Sequence, residues 1–214
     1  VALLRTGTMN TVATNLGIRG RSRSIAADLE RAVPMDVPCL VAGENVGFMF
    51  GVGIGASFLD EYYRHGTGPQ GATMVLARLA ASAAAGRATI DGPLARRPFG
   101  VDVDGQAWPG ELWSAVGACT IPSVGLGFRV APRTPAPASF EAWAFGGPAT
   151  SLLVNLPRAR FGRLLAGDRV HQALARELRL RAPGPIRYFV DGDLYQAGPQ
   201  LDVRVGGCVR FLRP

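Results

Sequence analysis

The stretch PMDVPCLVAGENVGFMFGVGIG, residues Pro34–Gly55, decides the fold. Two apolar runs, PMDVPCLVAG and NVGFMFGVGIG, flank Gly43-Glu44-Asn45, a turn sequence, and so read as two antiparallel strands. The second run carries Gly47, Gly51, Gly53 and Gly55. Glycine at that density inside a strand marks close approach of another backbone or of a ligand.

Downstream, SFLDEYYRHG (57–66) reads as a helix ended by Gly66, and ATMVLARLAASAAAG (72–86) as a small-residue helix ended by Gly86. From residue 88 the pattern returns to strands. FGVDVDGQAWPGELWSAVGAC alternates around Asp104-Gly105, a turn dipeptide. GLGFRVAP and SFEAWAFGG read as strands around the Pro-broken loop RTPAPA. RFGRLLAGDRVHQALARELRLRA reads as helix to about Leu174 and strand after it, while PIRYFVDGDLY and QLDVRVGGCVRFLRP close the chain as hairpin strands.

Upstream, VALLR is a strand end, and Asn10–Leu16 starts a helix that Gly17 stops. In SRSIAADLERAV, Ile25, Leu29 and Val33 recur on one helical face. The expected class is mainly β (α+β): an antiparallel β-sandwich-like domain with N-terminal and inserted helices, the insertion covering about residues 56–86.

Composition bounds the rest. The chain has 214 residues, 48% apolar and 18% charged, which is globular and long enough for a core without staples. Gly 28 and Pro 16 are spread along it, as many short elements joined by turns require. The formal charge is +7, from 23 basic and 16 acidic residues, with the basic charge on arginine. A basic surface suits nucleic acid, an anionic membrane or a nucleotide. With no dense basic run and no aromatic-basic platform, nucleic acid is not expected as a partner. Cys39, Cys119 and Cys208 are isolated, which excludes a disulfide framework and zinc and fits a reduced, cytoplasmic setting. No apolar stretch reaches 18 residues, there is no signal-peptide pattern, and the chain begins without Met, so it reads as processed or cut from something longer.

Two stretches carry candidate chemistry. In RTGTMNTVA (5–13), Gly7 supplies a flexible backbone, and Thr6, Thr8 and Asn10 offer polar groups beside a helix start, an arrangement that suits phosphate or ribose and equally an ordinary capped helix. In FVDGDLY (189–195), Asp191 and Asp193 flank Gly192. If the turn begins after them, both acids share one face and could orient a hydroxyl and take its proton, or hold a cation. If Asp191-Gly192 is itself the turn, the pair is a type I′ hairpin signal. His65 and His171 support neither a triad nor a metal cluster, and no Walker A, GxGxxG or nucleophile-elbow pattern occurs. Arg158, Arg160 and Arg163 in PRARFGR read as a solvated loop with the option of meeting phosphate or lipid headgroups.

In this order the pieces resemble the diacylglycerol kinase-like lipid kinases, the family that includes sphingosine and ceramide kinases. GTMNTVATNLGI (7–18) resembles its G-T-x-N-x-x-A…L-G-I segment, and NVGFMFGVGIGASF the strand that follows. VDVDG (101–105) and GLGFRVAPR (125–133) resemble its β-domain, and VDGD with VRFLRP its terminal D-G-E strand and last hairpin. The resemblance implies an α/β lobe with a Gly-Gly-Asp-Gly-Thr phosphate loop, a β-sandwich lobe with the lipid-side groups, and ATP between them. No Gly-Gly-Asp-Gly-Thr occurs here. Residues 1–36 then correspond to the junction with an absent nucleotide lobe, and residues 37–214 to the C-terminal lobe.

The function so implied is an ATP-dependent lipid kinase acting on a lipid hydroxyl, with ATP and Mg²⁺ used by the full-length parent. Asp193 would be the base and Asp191 its orienting partner, Gly7, Thr8 and Asn10 would face the nucleotide, and membrane contact would be peripheral. Asp193 stands where the family has Glu, and RTPAPAS (133–139) replaces an Asp-Asp-Gly loop that helps hold magnesium, so no metal ligand is assigned. The rival is a β-sandwich module that binds a lipid or a protein without catalysis. An upstream reading frame containing Gly-Gly-Asp-Gly-Thr would favour the kinase.

Overall fold

The computed structural model describes residues 1–5, 10–65, 68–86, 92–133 and 138–214. The chain opens with two short helices, α1 (Thr11–Asn15) and α2 (Ser22–Ala27). The hairpin β1 (Val33–Ala42) and β2 (Asn45–Gly47) follows, and then β3 (Met49–Gly53), which runs straight into α3 (Ile54–His65) and α4 (Gly68–Ala84). Five strands come next: β4 (Arg97–Pro98), β5 (Gly100–Val103), β6 (Gln106–Ala107), β7 (Leu112–Trp113) and β8 (Ala115–Cys119). β9 (Phe140–Phe145) leads to α5 (Ala149–Arg160). The chain closes with β10 (Val170–Ala175), β11 (Glu177–Arg181), β12 (Ile186–Val190), β13 (Asp193–Ala197) and β14 (Gln200–Arg213).

The strands form two six-stranded sheets, ordered β2-β1-β14-β11-β5-β6 and β10-β9-β8-β3-β12-β13, beside the small pair β4-β7. Each pairing between these strands is antiparallel. The sheets pack face to face. Leu40, Val101, Val103, Leu178, Leu180 and Val203 from the first meet Phe50, Val52, Val116, Phe140, Ile186 and Tyr188 from the second, all buried. Fully burying each such side chain is worth about 1.5–3 kcal/mol.

The outer faces differ, and the sequence records it. In β5 and β11 buried residues alternate with Asp102, Glu177, Arg179 and Arg181, so the first sheet turns that face to water. β8 is buried at every position and β9 at all but one. A strand with no polar face is covered on both sides, and here the cover is helical. α3 lies on β3 and β12, and α4 packs between α3 and α5. A second core joins the N-terminal helices to one end of the sandwich, with Ala13, Leu16, Ile18 and Ile25 against Val37, Phe48, Met49, Ile121 and Phe211.

The mainly β, α+β class expected from the sequence is observed. Several element readings are corrected. NVGFMFGVGIG is not one strand: β2 ends at Gly47, β3 begins at Met49 in the other sheet, and Ile54 already belongs to α3. Leu29 falls in a 3₁₀ turn and Val33 opens β1 with its side chain exposed, so the periodic face of SRSIAADLERAV ends after Ile25. GLGFRVAP forms turns rather than a strand, with Gly125, Leu126 and Gly127 all at positive φ. The helix expected to reach Leu174 is absent, since Val170–Ala175 is strand β10, and the helix of this region is α5, which includes Pro157, Arg158 and Arg160 of the expected loop.

Candidate functional site

Because β3, β8, β9 and β12 alternate, Gly51, Gly117, Trp143 and Phe189 point away from the sandwich core toward the helices. Glycines and rings interlock on this face. A Cβ on Gly51 would lie 2.5 Å from the Phe189 ring, and one on Gly55 at 2.6 Å from the same ring. A Cβ on Gly117 would strike the Trp143 ring. The rings occupy the space that side chains on these glycines would take.

The space left is a cavity of about 520 Å³. Met49, Ala115, Trp143 and Phe189 line it from the sheet, and Phe58, Leu79, Ala83 and Leu156 from the helices. Leu126, Phe128 and Val130 close one side. The lining is overwhelmingly apolar, and the volume suits a small-molecule or acyl ligand. Its polar lining includes Asn10, Thr11, Tyr63 and the Asp191-Gly192 turn, with Tyr62 on α3 and Asn155 on α5, whose amide is hydrogen-bonded to Ser151 and Ala166.

The rim of the cavity at Asp191-Gly192 is built by the β12–β13 hairpin. Val190 and Asp193 form the last cross-strand pair, so Asp191-Gly192 is the two-residue turn, with φ of 50° and 111°. The alternative in which both acids precede the turn is not what the chain adopts. The turn is open to solvent, but the Asp191 carboxylate is turned inward. It accepts the backbone N–H of Phe48 at 2.9 Å and of Met49 at 2.9 Å, while the Asp191 amide donates to the Met49 carbonyl at 3.0 Å. These are the amides freed where the chain leaves β2 for β3. Gly47 makes room for the arrangement, since a Cβ there would come within 2.7 Å of Asp191 Oδ2. Burial pushes the Asp191 carboxyl above its usual range, against the pull of the two amides, and the nearby Asp193 charge adds to the rise.

Tyr63 of α3 completes this side. Its hydroxyl donates to the Gly192 carbonyl at 2.8 Å, tying helix to turn. Desolvation, and then the Asp193 charge, raise the Tyr63 hydroxyl above its usual range. Asp193 itself is exposed, begins β13, and stands outside the cavity lining. Across the rim, Asn10 is left-handed at φ 47°, and its side chain does not cap α1. Gly7 and Thr8 lie outside the described residues, as does most of the RTPAPA loop.

The structure therefore brings Asn10 and Asp191 to one rim and sets Asp193 beside it. Sequence reasoning missed Tyr63 and the cavity wall, whose residues carry no signal beyond apolarity. It also missed Glu141, a fully buried carboxylate on the outer face of β9. Glu141 Oε2 accepts the Arg133 backbone N–H at 2.8 Å, and Oε1 lies 3.7 Å from the Arg133 guanidinium without a hydrogen bond. Burial raises its carboxyl, against that amide and the guanidinium.

Among the described residues no group of three or more His, Cys, Asp or Glu side chains could hold a metal ion. With the Asp191 oxygens engaged by amides, these residues do not form a magnesium site of their own. No described helix is long and apolar enough to cross a membrane.

At the level of sequence, no family model and no curated protein matches this chain. Solved structures do. A diacylglycerol kinase from Bacillus anthracis str. Sterne superposes with a TM-score of 0.64 at 12% identity, covering 100% of this chain and 66% of that one. Two provisionally assigned diacylglycerol kinases from the same organism give TM-scores of 0.69 and 0.64 at 12% and 14% identity. They cover 100% and 96% of this chain and 68% and 64% of theirs. This chain thus spans about two thirds of the length of the diacylglycerol kinases it resembles, and over that span it has their fold.

Proposed function

We propose that this chain is the acceptor-binding lobe of an ATP-dependent lipid kinase, working with a nucleotide-binding lobe supplied outside these 214 residues. The observation that carries the reading is a largely apolar cavity whose lining includes Asn10 and the Asp191-Gly192 turn. An acyl lipid fits that polarity. Its hydrocarbon would fill the cavity, gaining about 0.8 kcal/mol per buried methylene. Its hydroxyl would stay at the rim, where the γ-phosphoryl group must arrive.

The residues divide the work. Asp191 binds the turn to Phe48 and Met49 and thereby fixes the rim, while Tyr63 holds the same turn from the helical side. Asp193, whose carboxylate makes no such bond among the described residues, takes the hydroxyl proton as the lipid oxygen forms its bond to phosphorus and ADP leaves. Asn10, in the cavity lining, is assigned to the nucleotide side, and Gly7 and Thr8 take that role by the sequence resemblance alone. The resemblance to structures described as diacylglycerol kinases supports a glycerolipid acceptor.

The test is phosphoryl transfer from ATP to diacylglycerol by the two-lobed protein, with and without Asp193→Asn. Loss of a general base lowers kcat by about 10²–10⁴-fold. An undiminished rate would remove Asp193 from that role, and no transfer by the parent would favour a lipid-binding module without catalysis.

A further inference from the structure

From the charge and exposure around the end of α5, we infer that this end of the helix, with the turn after it, is the face that docks on an anionic lipid surface and opens the cavity to it; the inference rests on the lipid reading above. Between Glu111 and Asp168 the chain carries Arg129, Arg133, Arg158, Arg160 and Arg163 and a single carboxylate, Glu141, which is buried. Four of these arginines, Arg129, Arg158, Arg160 and Arg163, lie on α5, on the turn after it and on the 124–130 turns bonded to it. The Arg129 amide donates to the Ala159 carbonyl at 2.7 Å, joining the 124–130 turns to α5. The Arg160 guanidinium lies over Gly127, and that of Arg129 over Gly162. Arg158 Nε donates to the Leu164 carbonyl at 2.8 Å. Among the described residues, Arg129, Arg158, Arg160 and Arg163 make no ion pair.

Set among these cations are large apolar side chains left in water. Phe161 is 75% exposed, Val154 71% and Leu164 41%. Val154, Arg158 and Phe161 are spaced i, i+4, i+7 and so form one stripe. Cations around a protruding aromatic match an anionic headgroup layer with hydrocarbon beneath it. The opposite sides of these segments, Leu126, Phe128, Leu156, Ala159 and Leu165, line the cavity. The docking face and the cavity wall are therefore two sides of the same segments, which places a lipid taken up here beside the cavity.

The experiment is cosedimentation of the 214-residue chain with vesicles of phosphatidylcholine alone and of phosphatidylcholine mixed with phosphatidylglycerol. Binding is expected to the mixed vesicles and to fall with salt. Each of Arg129→Gln, Arg160→Gln and Arg163→Gln should lower partitioning onto the mixed vesicles about fivefold, and Phe161→Ser should lower it at low and high salt alike. Arg204→Gln and Arg213→Gln, on β14 of the other sheet, should leave it unchanged. Equal partitioning of wild type and the Arg129/Arg160/Arg163 triple variant would overturn the inference, as would salt-sensitive binding to RNA or DNA without binding to vesicles. Binding of water-dispersed dioctanoylglycerol is measured beside it. If that lipid binds and vesicles do not, docking alone fails; if vesicles bind and the lipid does not, the lipid reading of the cavity fails.

Discussion

The Asp191 carboxylate holds the Phe48 backbone amide at 2.9 Å, across 143 residues of sequence. Phe48 is the link at which the chain passes from one sheet to the other, and Asp191 is the turn residue at the cavity rim. One side chain thus stabilises the sheet crossing and fixes the candidate site. Asp191→Ala should cost about 2–4 kcal/mol, from two orphaned amides and an alanine forced to positive φ. Asp191→Asn keeps an acceptor and tolerates that backbone, and should cost less than about 1 kcal/mol. Chemical denaturation of the three proteins checks the order, and equal losses in both variants would contradict the assignment.

Glu141 should make stability fall as pH rises. Its folded-state affinity for the proton exceeds that of the unfolded chain, so its contribution is complete below its ordinary value of 4.5 and is lost as pH climbs through the raised folded value. Glu141→Gln keeps an acceptor for the Arg133 amide and removes the titration. Thermal melts from acid to neutral pH should show the variant gaining on the wild type as pH rises, and parallel curves would refute this.

The Phe189 ring occupies the space that side chains at Gly51 and Gly55 would need. Gly51→Ala should destabilise by about 1–3 kcal/mol through overpacking. Combined with Phe189→Leu, the penalty should shrink, because the smaller side chain yields. A double-mutant cycle on unfolding free energies measures the coupling, and strictly additive effects would show that the ring is not what excludes the methyl group.

The thiols should differ in reactivity. Burial raises Cys119 to about 12, and Cys39 is also buried and raised, with its thiol donating to the Gly207 carbonyl at 3.1 Å. Cys208 is exposed. A thiol reagent near neutral pH should therefore label Cys208 first, leaving Cys39 and Cys119 until the chain unfolds. Cys208→Ser should abolish the fast phase.

The sandwich was legible where turns and alternation agree. Asp104-Gly105 and Asp191-Gly192 are both hairpin turns at positive φ, and β5 and β11 alternate as half-buried strands should. Legibility failed where tertiary context overrides local preference. RVHQALARELRL is rich in helix formers, yet pairing with β9 and with β14 divides it between two sheets. α5 was hidden by Pro148 before it and Pro157 inside it. The rim was half legible. Asp191, Asp193 and Asn10 are marked by residue type, but that Asp191 belongs with Phe48 depends on a contact between the two sheets. The cavity was not legible, since an apolar wall and an apolar core use the same residues.

On the proposed function, the cavity holds the hydrocarbon of the lipid acceptor. The most direct measurement of this is a titration of the chain with dioctanoylglycerol, read by fluorescence of Trp143 in the cavity wall, with Trp143→Phe assigning the signal. Ala80→Phe would fill the cavity from α4. A saturable signal is expected in the wild type and affinity weakened by at least about tenfold in the Ala80→Phe chain, with the fold retained by circular dichroism. No binding by the wild type, or equal binding by a folded Ala80→Phe chain, would contradict it.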